Sequence, residues 1–172
     1  MVDVASVEMI SVAVAATSVV IGVFIGVRQL RDTNKARQYQ FWMEVMQYFI
    51  RERDFLSRRL GMLSWQWEDY DDFNKKYFSN HESRVTLWQV LSYYDMIGYS
   101  VKNGIVKVNQ IDEEFIYNIL LFWRKFSPYI VESRKRSSNV LWRLYVWQNF
   151  EWLAKECEKR EQEIIQASQK RQ

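Results

Sequence analysis

The chain has 172 residues, with 24 Lys and Arg against 21 Asp and Glu, one His, one Cys and one Pro. The lone Cys157 excludes a disulfide scaffold and, with a single His, a His/Cys zinc cage; five Gly and one Pro supply too little turn chemistry for a β-sandwich or barrel. At 48% hydrophobic and 16% aromatic the chain is not disordered either, which leaves the all-α class.

In chain order, the first element is an uncharged run of nineteen residues from Met9 to Val27, extended back to Val4 with only Glu8 interrupting. As a helix it would be roughly 28 Å long, close to the ~30 Å hydrocarbon core of a bilayer. The expectation is a single N-terminal transmembrane helix. A cleaved signal peptide is the rival, since Ala13-Val14-Ala15 fits the small-x-small pattern. However, no Lys or Arg precedes it, and twelve further apolar or small residues follow. The N-terminal flank carries Asp3 and Glu8, and the other flank carries Arg28, Arg31, Lys35 and Arg37. The positive-inside rule then predicts a plasma (inner) membrane protein with its N-terminus outside and the bulk of the chain cytoplasmic. The four cations either contact anionic lipid headgroups, at about 1 kcal/mol each, or only mark topology.

Ser11, Ala15, Ser18, Gly22 and Gly26 recur every three or four residues along this segment. They form a small-residue stripe with a GxxxG match that would let two backbones approach closely. A homo-oligomer is expected through this face; the plainer alternative is a segment rich in small residues.

The remainder holds all 24 cations and 19 of the 21 acids, a balance too mild for a nucleic-acid binder. Trp42, Val45, Met46, Phe49, Leu56 and Leu60 have helical spacing. No Gly or Pro falls between Val27 and Leu60, so the first helix either runs on or bends near 32–34, with Gly61 as its stop. A polar and aromatic connection follows, then a short helix over 73–78. Ser79-Asn80-His81-Glu82 predicts a capping box opening a helix that ends at Asn103-Gly104. Asp112 starts another helix, Ser127-Pro128 restarts one, and Ser137 or Ser138 opens the last. The domain reading is an anchor over 1–30, a helical bundle over 31–155 and a charged helical tail over 156–172.

The order Trp88, Tyr93-Tyr94-Asp95-Met96-Ile97-Gly98, Phe122-Trp123, Pro128 with Arg134, then Asn149-Phe150-Glu151-Trp152-Leu153 resembles a prokaryotic family, domain of unknown function number 4760, over most of residues 1–155. The resemblance implies a bacterial or archaeal membrane-associated helical protein with an N-terminal hydrophobic helix, and it supplies no catalytic residues.

Asp95, inside an otherwise apolar helix, is the strongest polar candidate. As an acid–base group it would need a shifted pKa; as a structural group it would pair with Arg124 or Arg134 and fix helix packing, which is the favoured reading. His81 falls in a cap. Glu68, Asp69, Asp71 and Asp72 lack the Gly and terminal Glu of a calcium loop, so no metal is expected. Arg134, Lys135, Arg136 and Ser138 form a possible anion site at a helix start, against the plainer reading of a charged turn. No nucleotide-binding glycine motif is present, and no cofactor is expected. The functional expectation is a non-enzymatic, membrane-anchored helical domain that acts by binding an unidentified protein partner as scaffold, sensor or regulator. A small homo-oligomeric channel is the alternative, and an enzyme centred on Asp95 the third.

Overall fold

A computed structural model describes the backbone of residues 4–170 and the side chains of Ala15 and of residues 17–45, 47–49 and 51–170. Among these residues the protein is all-helical: α1 (Val4–Arg51), α2 (Arg53–Leu63), α3 (Tyr70–Phe73) running into a π turn (Asn74–Phe78), α4 (His81–Lys102), a 3₁₀ turn (Val108–Gln110), α5 (Glu113–Arg136), α6 (Val140–Tyr145) and α7 (Gln148–Gln169). The chain divides into two compact units, Met1–Val45 and Met46–Gln172.

The first unit consists of α1 up to Val45. No helix among the described residues is long and apolar enough to cross a membrane. This overturns the expected transmembrane helix. The apolar run whose side chains are described, Thr17–Val27, covers eleven residues or roughly 16 Å, about half a hydrocarbon core. Arg28, Arg31, Asp32, Lys35 and Arg37 then follow on the same helix, which passes residues 32–34 unbroken. The orientation, the inner-membrane placement and the channel alternative all lean on that span and lose its support.

The second unit is an aromatic core enclosed by α2, α4, α5 and α7, with the most extensive packing between α4 and α7. Phe55, Phe73, Tyr94, Phe115, Phe122, Phe126 and Phe150 are each at most 1% exposed. Two ring clusters meet through the stacked pair Phe122–Phe126, 5.8 Å apart. One gathers Phe49, Phe55, Tyr93 and Tyr94; the other gathers Trp65, Trp67, Phe73 and Tyr77. Such rings bury the largest areas available to a side chain and settle the helix positions.

Local signals place several ends correctly. The Asp112 carboxylate accepts from the Phe115 N–H (2.8 Å) and opens α5. Gly104, at φ +73°, closes α4 with the paired bonds Ile105 N–H to Ser100 O and Gly104 N–H to Val101 O. At α4 the cap is Asn80, which accepts from Ser83 N–H, and not Ser79.

Other boundaries obey the core. The helix breaks at Glu52 (ψ 98°) rather than at Gly61. The break brings Phe49 and Phe55, which lie on different faces of a straight helix, against the same Tyr93 ring. Conversely, α5 continues through Pro128, where a restart is expected. Proline costs roughly 3 kcal/mol in a helix interior, but Phe122 and Phe126 before it and Tyr129 and Ile130 after it are all buried, and a stop would pull one pair out of the core. The expected single last helix is two, α6 and α7, joined by Val146 and by Trp147 at φ +48°. α7 runs past Lys155, burying Cys157 and linking Arg124 to Glu161 (2.7 Å). Burial pushes the Cys157 thiol up to about 12, so it is an unreactive packing group at neutral pH.

Candidate functional site

Asp95 and Arg134, the two strongest polar candidates, hold helices together. Asp95 lies in mid-α4, facing the first turn of α7. Its Oδ1 accepts from the backbone N–H groups of Asn149 (2.8 Å) and Phe150 (3.0 Å), and its Oδ2 accepts from Asn149 Nδ2 (3.1 Å). A helix start leaves such N–H groups without intrahelical partners and favours negative charge. Asp95 is therefore the cap of α7 delivered from another helix. Its partners are amides, not Arg124 or Arg134. Beside it, a Cβ built on Gly98 would lie 2.2 Å from the Asn149 carbonyl oxygen, so only glycine lets α7 start this close to α4.

Arg134 reaches the same junction from α5. Its Nε and Nη2 donate to the Val146 carbonyl at 2.9 and 2.8 Å, and its Nη1 donates to Glu151. Burial works against the Glu151 charge, but hydrogen bonds from Lys155 and Arg134 outweigh it and hold the carboxyl below its usual range. Lys135 pairs with Glu132 (3.5 Å), and Arg136 pairs with Glu132 and Asp71 (both 2.9 Å) while lying over the Tyr70 ring. Ser138 is exposed, and the α6 cap is Asn139, which accepts from Trp142 N–H (3.1 Å).

The remaining candidates are also placed. His81 is exposed at the start of α4, with Arg84 Nη2 3.4 Å from its Nδ1. Asp69 caps α3 by accepting from Asp72 N–H, and Asp72 takes Lys76 at 2.7 Å. Among the described residues no three His, Cys, Asp or Glu side chains gather to hold a metal. On α1, Ala15, Ser18 and Gly22 are exposed and Gly26 is half-buried; a Cβ at either glycine would meet nothing within 4 Å. The Ser11 side chain lies outside the described residues. Arg28, Arg31, Lys35 and Arg37 are exposed.

Two structural cations escaped the sequence reading. Lys125 Nζ donates to the Leu63 and Trp65 carbonyls, both at 2.7 Å, closing the C-terminal end of α2, and desolvation lowers its pKa. Arg59 is 6% exposed, lies 3.8 Å over the Phe49 ring and donates to Asn118 Oδ1 (2.9 Å). Neither lies next to a motif, so neither had a local signal.

What the fold leaves open is a groove along α4. One part, about 340 Å³, is lined by Trp88, Ser92, Asp95, Trp142, Tyr145 and Trp147 among others; a second, about 570 Å³, by Arg84, Val85, Trp88, Gln89 and Ser92. The two parts share Trp88 and Ser92. α6 forms one wall. Its Trp142 is turned inward, donating to Ser133 Oγ (3.0 Å) and packing edge-on against Trp88 (5.1 Å). Its Val140, Leu141, Leu144 and Tyr145 are 51–68% exposed. Leu141 and Tyr145 have helical apolar spacing, but the end of α6 before Val146 cuts their helix short and leaves them exposed.

The molecule is thus an all-helical protein with an aromatic core, polar clamps between its helices and an open apolar groove. It belongs to the family described as Domain of unknown function (DUF4760), whose model matches residues 9–157. No curated protein and no solved structure matches the chain.

Proposed function

We propose that this protein works by binding another protein, without catalysis, and that the α4–α6 groove is its contact face. The observation that carries this reading is the exposure of four apolar side chains on a six-residue helix beside an aromatic-lined groove. Contiguous apolar surface of that kind marks interaction sites, whereas scattered single residues do not. The engagement of the two strongest polar candidates supports it too: both Asp95 oxygens accept from α7, and Arg134 donates to Val146 and Glu151.

The test is site-specific photocrosslinking in cells that make the protein naturally, with benzoylphenylalanine at Leu144 and, as control, at the exposed Glu158. A discrete protein adduct from Leu144, absent from Glu158 and lost when Leu141→Glu is added, is the expected result. No adduct, or the same adduct from both positions, defeats the proposal.

Self-association along α1 is a second reading, favoured by one observation. Val19, Val20, Ile21, Val23 and Phe24 are 53–70% exposed, and the open surfaces of Gly22 and Gly26 leave room for another helix to approach the backbone. Native mass spectrometry of the full chain beside Gly22→Leu/Gly26→Leu tests it. A defined oligomer lost in the double variant supports the contact, and a monomer in both removes it.

A further inference from the structure

We propose that the cavity between Trp88, Asp95 and Trp142 is a binding site for a methylated, quaternary ammonium group. The inference goes beyond the protein-contact reading and stands on the chemistry of the cavity wall.

Three indoles meet at this wall. Trp88 and Trp142 are 5.1 Å apart at 69°, Trp88 and Trp147 5.2 Å at 54°, and Trp142 and Trp147 6.1 Å at 68°. No pair is stacked, so the rings do not cover one another face to face, and the exposed Tyr145 adds a fourth ring from α6. Two indole N–H groups are tied back, Trp142 Nε1 to Ser133 Oγ (3.0 Å) and Trp147 Nε1 to Ser92 Oγ (3.5 Å), which fixes their rings before any guest arrives. Trp147 holds its place at φ +48°, a backbone state that is costly for a non-glycine residue and gathers at binding and active sites.

Charge selects a cation. Among the described residues that line the cavity there is one carboxylate, Asp95, and no Lys, Arg or His. Neutral amides of Asn149 and Phe150 hydrogen-bond this carboxylate without cancelling its charge. Arg84 lines the neighbouring part of the groove, eleven residues from Asp95. That is about 16 Å along α4, beyond the ~8 Å screening length of physiological salt. Arg134, which donates to the Val146 carbonyl, is paired with Glu151. An indole face is the best aromatic seat for a cation, and aromatic walls recognise quaternary ammonium through cation–π attraction.

Hydrogen bonding selects methylation. Asp95 already accepts three bonds, which leaves about one of its roughly four lone-pair sites. A primary ammonium brings three N–H donors and would lose hydration here without finding enough acceptors. A quaternary ammonium has no N–H to satisfy, and its methyl groups contact the rings directly. The volume, about 340 Å³, falls within the ~300–1,000 Å³ of small-ligand sites. A free small molecule or a trimethyl-lysine side chain of a protein could supply the group.

The full chain, labelled with 5-fluorotryptophan, provides eight fluorine signals, assigned by single Trp→Phe substitutions. It is titrated at constant ionic strength with choline, with the uncharged carbon isostere 3,3-dimethylbutanol and with ethanolamine, the primary ammonium analogue. The expected result is saturable movement of the Trp88, Trp142 and Trp147 signals with Trp65 and Trp67 unmoved, and choline binding roughly tenfold tighter than either analogue. Tyr145→Leu should weaken choline roughly threefold with the melting temperature unchanged. Asp95→Asn, which keeps an acceptor for α7, should weaken choline about threefold and leave the isostere unchanged. A capped pentapeptide with a central trimethyl-lysine separates the sources: binding tighter than choline assigns a protein-borne group, and weaker binding assigns a free molecule. Equal binding of choline and the isostere reduces the wall to plain apolar surface and overturns the proposal, as does equal binding of ethanolamine or no saturable movement with choline. None of these outcomes depends on the Leu144 photoadduct, so this site and the protein-contact reading fall separately.

Discussion

Helices α6 and α7 follow each other with two residues between them, yet they bury their apolar side chains to opposite degrees. α7 hides Phe150, Leu153, Ala154 and Cys157 completely, whereas α6 leaves Val140, Leu141, Leu144 and Tyr145 more than half exposed. Composition alone would predict the reverse, since five of the six residues of α6 are hydrophobic against eight of the 22 in α7. What separates them is the surface each meets: α7 lies against Gly98, where α4 has no side chain in the way, and Asp95 supplies the acceptor for its first N–H groups. α6 has six residues and a single inward ring, Trp142, held to Ser133. One helix is therefore a structural member of the core and the other forms the wall of a groove. Substitutions on the two should fall into two energetic classes.

The largest expected effect is at Gly98. A Cβ there meets a backbone carbonyl at 2.2 Å, which cannot rotate away as a side chain could. Gly98→Ala should force α4 and α7 apart and cost about 3 kcal/mol. Urea denaturation checks this through the midpoint, with the slope unchanged if the unfolded state is unaffected. A loss below about 0.5 kcal/mol would place the α4–α7 crossing elsewhere.

Next is Asp95. Asp95→Ala leaves two backbone donors without their acceptor and should cost about 2 kcal/mol. Asp95→Asn keeps one carbonyl acceptor and should cost about half as much. Hydrogen exchange distinguishes a local from a global effect: the Asn149 and Phe150 amides should be deprotected more than those of α5.

Glu151 provides a pH-dependent version of the same contrast. Its folded pKa lies below its ordinary 4.5 because Lys155 and Arg134 donate to it, against the opposing effect of burial. A lowered folded pKa contributes stability that is present above 4.5 and is lost as pH falls through the folded value. Glu151→Gln should remove about 1 kcal/mol at pH 7, and the deficit relative to the natural chain should close as pH falls below 4.5 and through the lowered folded value. A deficit that is constant with pH would assign the loss to packing.

These residues also show how far the sequence could be read. The all-α class followed from composition, and the ends at Asp112 and Asn103-Gly104 followed from cap chemistry, because the forces that set them lie within a few residues. The break at Glu52, the passage through Pro128 and the joint at Val146-Trp147 follow from which rings must share a core, and those contacts cross tens of residues. Asp95 stood out as a lone charge on an apolar helix, but its partners begin 54 residues later and are backbone amides, which carry no mark in a sequence. The apolar run at the N-terminus suggested a span by the count of its uncharged residues; the described helix contains no stretch long and apolar enough for one.

The smallest expected effect is on α6, and it is the most discriminating. Leu141→Glu and Leu144→Glu each replace an apolar side chain that is more than half exposed, on a helix whose hold on the core is Trp142 and the cap of Asn139. Neither change removes a buried contact or leaves a buried polar group unpaired, so each should alter unfolding free energy by less than about 0.5 kcal/mol. Trp142→Ala, on the same helix, should cost about 3 kcal/mol, because it removes the ring packed on Trp88 and leaves the Ser133 hydroxyl without it. Thermal denaturation of the three variants measures both classes in one helix. Should Leu141→Glu prove as costly as Trp142→Ala, α6 would be core and the groove closed in solution. If it is silent, the exposed leucines contribute nothing measurable to folding, and their hydrophobicity remains available for binding a partner.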